Sequence, residues 1–247
     1  MSARANALTA SGALMCEDAA GCPVWRVGYA PDPWTWTPWQ YAEAGRFSGR
    51  WDDPHGIWRS VYVGQSALAC YLEVLAPFRP DPRLAAELAS VKEDPIDAIE
   101  APTLGGGLLP REWCEPRMAG KAHLYGWYVL PSDVESLPTL RTRFLRFAAD
   151  YGLPDVDAAA IRQAEPRAFT QAIAAWIYDQ DGPDGVPVAG VGFDSRHGDG
   201  LGLWAVFERP GDGNTSQCIA VVEHEPVQPD DPHIVDAMRI HRLQWSS

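Results

Sequence analysis

Val61-Tyr-Val-Gly-Gln-Ser-Ala-Leu-Ala-Cys-Tyr-Leu-Glu73 and, just before it, Ser48-Gly-Arg-Trp-Asp-Asp-Pro-His55 decide how this chain is read. Val61-Tyr-Val-Gly64 has the β-branched and aromatic content of a short strand. Gln65-Ser66 can open a helix, and Ala67, Leu68, Tyr71, Leu72 and Leu75 recur at helical spacing. Glu73 lies two positions after Tyr71, roughly 200° around the helix, so it leaves that apolar face and joins the small residues Ala69 and Cys70. A carboxylate beside small side chains has room for a ligand. The turn before the strand is dense in Gly, Pro and Asp and carries Arg46 and Arg50.

Outward from this unit, Pro23–Tyr29 reads as a strand carrying Arg26, and Pro31–Gln40 as an aromatic loop with three prolines and three tryptophans. Residues 1–22, rich in Ala, Ser and Gly, are expected to be loose. Arg83–Val91 is expected as a brief helix, Ile96–Ile99 as a short strand and Gly105–Gly107 as a turn. Further strands are expected at Ala122–Leu130 and Ile219–Val222. Helical spacing marks Leu137–Gly152, a stretch opened by Pro154–Asp157, Ala168–Asp179 and, near the end, Ile234–Leu243. Ala189–Phe193 and Leu203–Phe207 flank a glycine-rich turn and form a hairpin with Ser195 and Arg196 at the end of its first strand. Strands and helices mix without a βαβ rhythm, which predicts one α+β domain with mostly antiparallel strands and flanking helices.

The 247 residues carry a net charge of −13. That balance argues against general affinity for nucleic acid or anionic membrane. An anionic substrate must then be met by arginines that folding brings together. Five scattered cysteines without CxxC spacing and six histidines without a ligand motif give no metal site. No leader and no apolar run of membrane length stands out, so the expectation is a soluble, cytoplasmic chain. The 11 tryptophans have two readings, an aromatic core or the walls of a cleft for flat heterocycles.

Single residues also have bland readings. Arg50 can pin its own turn, Tyr62 can be core, Glu73 can be solvated, and Ser195 can form a local turn. His55 and His197 read more readily as exposed loop histidines than as bases. Ser195 sits in no GxSxG elbow, and Gly198–Gly202 lacks the strand–helix setting of a dinucleotide fingerprint.

Taken in order, Trp25-Arg26-Val27, Gly49-Arg50-Trp51-Asp52, Val61-Tyr62-Val63 with Glu73, and Gly192-Phe-Asp-Ser195-Arg196-His197 followed by Leu203–Glu208 resemble the RES-domain family. The resemblance implies residues 23–225 as the domain, with a longer middle region at 77–165 and a C-terminal extension at 226–247. It implies a fold similar to ADP-ribosyltransferases and an NAD-degrading toxin paired with an Xre-like antitoxin. NAD is then the substrate, with no separate cofactor. By the same resemblance Glu73, Arg50 and Ser195 would be catalytic, while Arg26 and Tyr62 would bind substrate; Arg46, Trp51 and Arg196 are further candidates for substrate binding. Where the family motif usually has Asn after Gly-Arg-Trp, Asp52 stands here, an extra carboxylate expected beside a pyrophosphate. Water, phosphate or a macromolecule remain open as acceptor, a silent nucleotide-binding module remains the rival of another class, and a homodimer is compatible with the sequence.

Overall fold

The computed structural model describes residues 2–80, 107–163 and 165–246. Its strands are β1 (Arg4–Thr9), β2 (Gly12–Asp18), β3 (Cys22–Tyr29), β4 (Ser60–Gly64), β5 (Gly107–Leu109), β6 (Arg117–Leu124), β7 (Trp127–Val129), β8 (Gly190–Asp194), β9 (Gly202–Phe207), β10 (Ile219–Pro226) and β11 (Leu243–Trp245). The helices are α1 (Ala67–Leu75), α2 (Leu137–Asp150), α3 (Ala158–Arg162), α4 (Arg167–Tyr178) and α5 (Pro232–His241). Nine strands form one sheet in the order β1-β2-β7-β8-β9-β4-β3-β6-β10, and β7–β8 is its parallel pair. The expected α+β class with a mostly antiparallel sheet and flanking helices is what the chain adopts. The helix and strand expected at Arg83–Val91 and Ile96–Ile99, and the first two glycines of the turn at 105–107, lie outside the described residues.

The strand–helix unit forms for the reasons its sequence suggests. Ser66 caps α1 by accepting the Ala69 N–H at 3.1 Å. The helix then buries Ala69, Cys70, Tyr71, Leu72 and Leu75. In β4, alternation sends Val61 and Val63 into the cluster with Val24, Ala122, Leu124 and Val206. Tyr62 faces the other way, toward the larger core that α2 and α4 supply with Leu140, Phe144, Phe169, Ile173 and Ile177. The hairpin of β8 and β9 pairs Gly190 with Val206 through Asp194 with Gly202 and lies beside β4.

Two expectations are corrected. Residues 1–22 are not loose: β1 and β2 pair from Arg4↔Glu17 to Thr9↔Gly12, and Ala7, Leu14 and Cys16 are buried. Its alternation is carried by small residues, so the pattern is faint in sequence. The single strand expected at Ala122–Leu130 is two, because Gly126, at φ +95°, turns the chain away from β6 and lets β7 join β2 and β8. The short helix expected in the C-terminal extension is α5, whose Ile234, Ala237 and Met238 share a cluster with Tyr71, Leu72 and Leu75 of α1. Most tryptophans take the core reading, with Trp34, Trp36, Trp51 and Trp58 all buried. Among the described residues no helix is long and apolar enough to cross a membrane.

Candidate active site

A cleft of about 440 Å³ opens where β3, β4, α1 and the end of β8 converge. Among the described residues its ionised lining is four arginines, Arg26, Arg50, Arg167 and Arg196, against the single carboxylate of Glu73. On an acidic chain this is the locally positive pocket that only folding could assemble. Tyr62, Cys70, Phe193 and His197 complete the chemically distinctive walls.

The turn carrying Arg50 is fixed from below. Asp52 Oδ2 accepts the Gly49 N–H at 2.5 Å, and Asp52 Oδ1 accepts the Tyr62 hydroxyl at 2.9 Å. The same hydroxyl accepts the Trp51 N–H at 2.9 Å, so Tyr62 ties β4 to the turn. Gln171 of α4 donates to the Gly49 carbonyl at 3.0 Å. Arg50 is thereby aimed across the cleft, where its Nη2 donates to the Arg162 carbonyl at 2.8 Å and its guanidinium lies 5.4 Å from the Phe193 ring centre. Burial lowers the Arg50 pKa from its usual value, while the field of Glu73 opposes that shift.

Arg26 is committed differently. Its Nε donates to the Pro33 carbonyl at 2.5 Å and its Nη1 to the Tyr62 carbonyl at 2.8 Å. Desolvation pushes this enclosed guanidinium down to about 10. It locks the aromatic loop to β4 and offers the cleft only what those two carbonyls leave.

Glu73 projects from α1 beside Cys70, on the small-residue side of the helix, and about a third of its side chain is open to solvent. Ser195, buried just past β8, donates its hydroxyl to Glu73 Oε1 at 2.5 Å and accepts the His197 N–H at 3.0 Å. The Ser195 N–H itself closes the hairpin on the Leu201 carbonyl at 2.9 Å. A hydroxyl with both valences so placed is a fixed donor to one carboxylate oxygen, and a charge-assisted bond of this length is a strong one.

The structure therefore brings together Arg26, Arg50, Tyr62, Glu73, Ser195 and Arg196, which lie up to 170 positions apart in the sequence. Two candidates are not brought in. Arg46 sits on an exposed turn, its N–H on the Glu43 carbonyl at 3.1 Å, and does not line the cleft. Trp51 is wholly buried, with its ring 5.7 Å from Phe193, and is core. Asp52 is also corrected, since its carboxylate turns inward to Gly49 and Tyr62 and adds no negative wall to the cleft. His197 is not an exposed loop histidine, for only 3% of its side chain is accessible. Sequence reasoning missed Arg167, which opens an amphipathic helix and carries no motif, and Phe193, whose role depends on where its hairpin lands.

The buried Asp52 has a measurable signature. Desolvation raises its pKa above 3.8, although the bonds from Tyr62 and Gly49 pull the other way. The folded protein thus holds this proton more tightly than the unfolded chain, and the associated stability is lost as pH rises from 3.8 through the folded-state midpoint. Asp52→Asn is expected to remove that component. The difference in melting temperature between variant and parent should move in the variant's favour from pH 4 to pH 7, read by thermal unfolding at both values.

A mostly antiparallel sheet that presents a carboxylate–hydroxyl pair to an arginine-lined cleft defines the class, an α+β domain with a locally positive pocket. The family model described as the RES domain matches residues 23–230, and the chain belongs to that family. Comparison with curated proteins gives no match. Among solved structures, the crystal structure of the M. tuberculosis MbcT–MbcA toxin–antitoxin complex contains a similar chain, 17% identical over 90% of each chain, with a TM-score of 0.41.

Proposed function

We propose that this protein consumes NAD by cleaving its nicotinamide–ribose bond, and that it is the toxin of a pair whose partner is an Xre-like antitoxin. The observation that carries the reading is the Ser195-held carboxylate of Glu73 inside a cleft whose other ionised groups are arginines. Family membership supports it, because the RES resemblance implies this activity and this partner.

The chemistry suits these residue types. The bond breaks through an oxocarbenium-like ribosyl cation, and nicotinamide leaves as a neutral base, so little acid catalysis is needed. Arg50, with Arg167 and Arg196, meets the pyrophosphate, for which guanidinium forks are matched in shape and charge. Glu73 stabilises the growing positive charge and accepts from a ribose hydroxyl, its geometry set in advance by Ser195. Tyr62 contributes its ring, since its hydroxyl is already occupied by Asp52 and the Trp51 N–H. Arg26 supports the wall through its two carbonyl bonds.

Purified protein incubated with NAD should release free nicotinamide, and adding inorganic phosphate tells water from phosphate as acceptor by whether ADP-ribose or its phosphorylated form accumulates. NAD bound without turnover would replace the reading with a silent nucleotide-binding module. Label appearing on protein or nucleic acid instead of free product would replace it with a transferase.

A further inference from the structure

His197 follows Ser195 by two residues, and its imidazole is enclosed between α1, α5 and the segment after α1. Arg79 Nη1 lies 3.3 Å from His197 Nδ1. Arginine has only donors, so Nδ1 is the acceptor and the ring proton of the neutral imidazole sits on Nε2. That Nε2 is completely enclosed and has no hydrogen-bond partner among the described residues. The facing acceptor is Glu73 Oε2, at 3.9 Å. An orphaned buried donor is uncommon in a folded protein and calls for a physical account.

We propose that His197 is a positioning residue for Glu73, a neutral imidazole whose Nε2–H steadies the second carboxylate oxygen while Ser195 holds the first. The enclosure of Nε2 keeps substrate from reaching it, so the residue acts through Glu73. A modest rotation of the carboxylate closes the 3.9 Å gap, and bonds of this kind tighten when a ligand fills a cleft. The other groups around the ring favour the neutral form. His241 of α5 stands with its ring centre 5.2 Å away, edge to face, its own Nε2 bonded to the Leu72 carbonyl at 2.7 Å. Burial holds His197 below the ordinary histidine value; Glu73 pulls upward, and Arg196, His241 and Arg79 push further down. Protonating Nδ1 would set an N–H against the Arg79 guanidinium, so the arrangement fails on the acid side.

The part of this inference that concerns rate rests on the NAD-cleaving reading. His197→Ala should lower kcat by about tenfold, a typical loss for a group that orients another, with KM for NAD nearly unchanged. His197→Gln, which keeps a donor near the Nε2 position and cannot titrate, should recover most of that loss and lack the acid limb expected of the parent below the ordinary histidine range. Unchanged kcat in His197→Ala, or an equal loss in both variants, overturns the inference. NMR titration of the His197 ring in the intact protein separates this from failure of the reading itself. In Glu73→Gln the His197 midpoint should fall below the parent's, because the carboxylate charge that pulls it upward is gone. An unmoved midpoint overturns the coupling whether or not NAD is turned over.

Discussion

Glu73→Gln is expected to lower kcat for nicotinamide release by about 10²–10³-fold, the scale on which preorganised electrostatic groups act. KM should change little, because the arginines that meet the pyrophosphate are untouched. Glutamine is nearly isosteric, and its amide oxygen still accepts the Ser195 hydroxyl that now donates to Oε1 at 2.5 Å. What it removes is the charge that opposes a developing ribosyl cation. With about a third of the side chain open to solvent, the fold does not depend on that charge, so the thermal midpoint should stay close to the parent's. Steady-state kinetics beside thermal unfolding decides the matter. A variant as active as the parent would remove Glu73 from the chemistry, and one that fails to fold would make it structural.

Trp51→Ala is expected to be the most damaging single change in the Arg50 turn. Trp51 has no accessible surface and packs in the core with Phe193, Phe207, Val191 and Ala205. Emptying such a site costs about 3–5 kcal/mol. In a domain of this size that is a fall in thermal midpoint of roughly 10 °C. Calorimetry of Trp51→Ala and of Trp51→Phe checks it, the phenylalanine being expected to restore a good part of the loss. A small shift with a large rise in KM for NAD would return Trp51 to the binding wall that the sequence motif suggested.

These two residues show how far the chain could be read before folding. Where a unit is made by neighbours in sequence, as in β4 with α1 or the hairpin of β8 and β9, periodicity and turn composition are enough. The capping serine, the apolar stripe and the placement of Glu73 away from Tyr71 all follow from local spacing. Arg50 and Trp51 are adjacent, and nothing in their spacing says that one guanidinium crosses the cleft while the next indole enters the core. That choice is made by Tyr62 and Gln171, which reach the turn from β4 and α4, and by Asp52, which closes the turn from within. Asp52 illustrates the same limit, since a carboxylate in a phosphate-binding motif looks repulsive until its two inward donors are seen. His197 is legible only with Arg79 and His241 in place, one more than 100 positions before it and the other in α5. The β1–β2 hairpin was hidden for a different reason: alanine, cysteine and leucine alternate there with few β-branched residues, and pairing with β7 supplies what propensity does not.

The clasp between α1 and α5 bears on how the molecule comes into being. Tyr71 donates to Asp231 at 3.1 Å, and the Leu72 carbonyl meets His241 at 2.7 Å, so the residues immediately before Glu73 are gripped by partners 160 and 169 positions further along. A nascent polypeptide that has emerged only as far as β10 already contains Glu73, Arg50 and Ser195, yet lacks the part of the apolar cover of α1 that Ile234, Ala237 and Met238 provide. The helix platform that carries Glu73 is therefore complete only once the segment from Asp231 to His241 has docked on it.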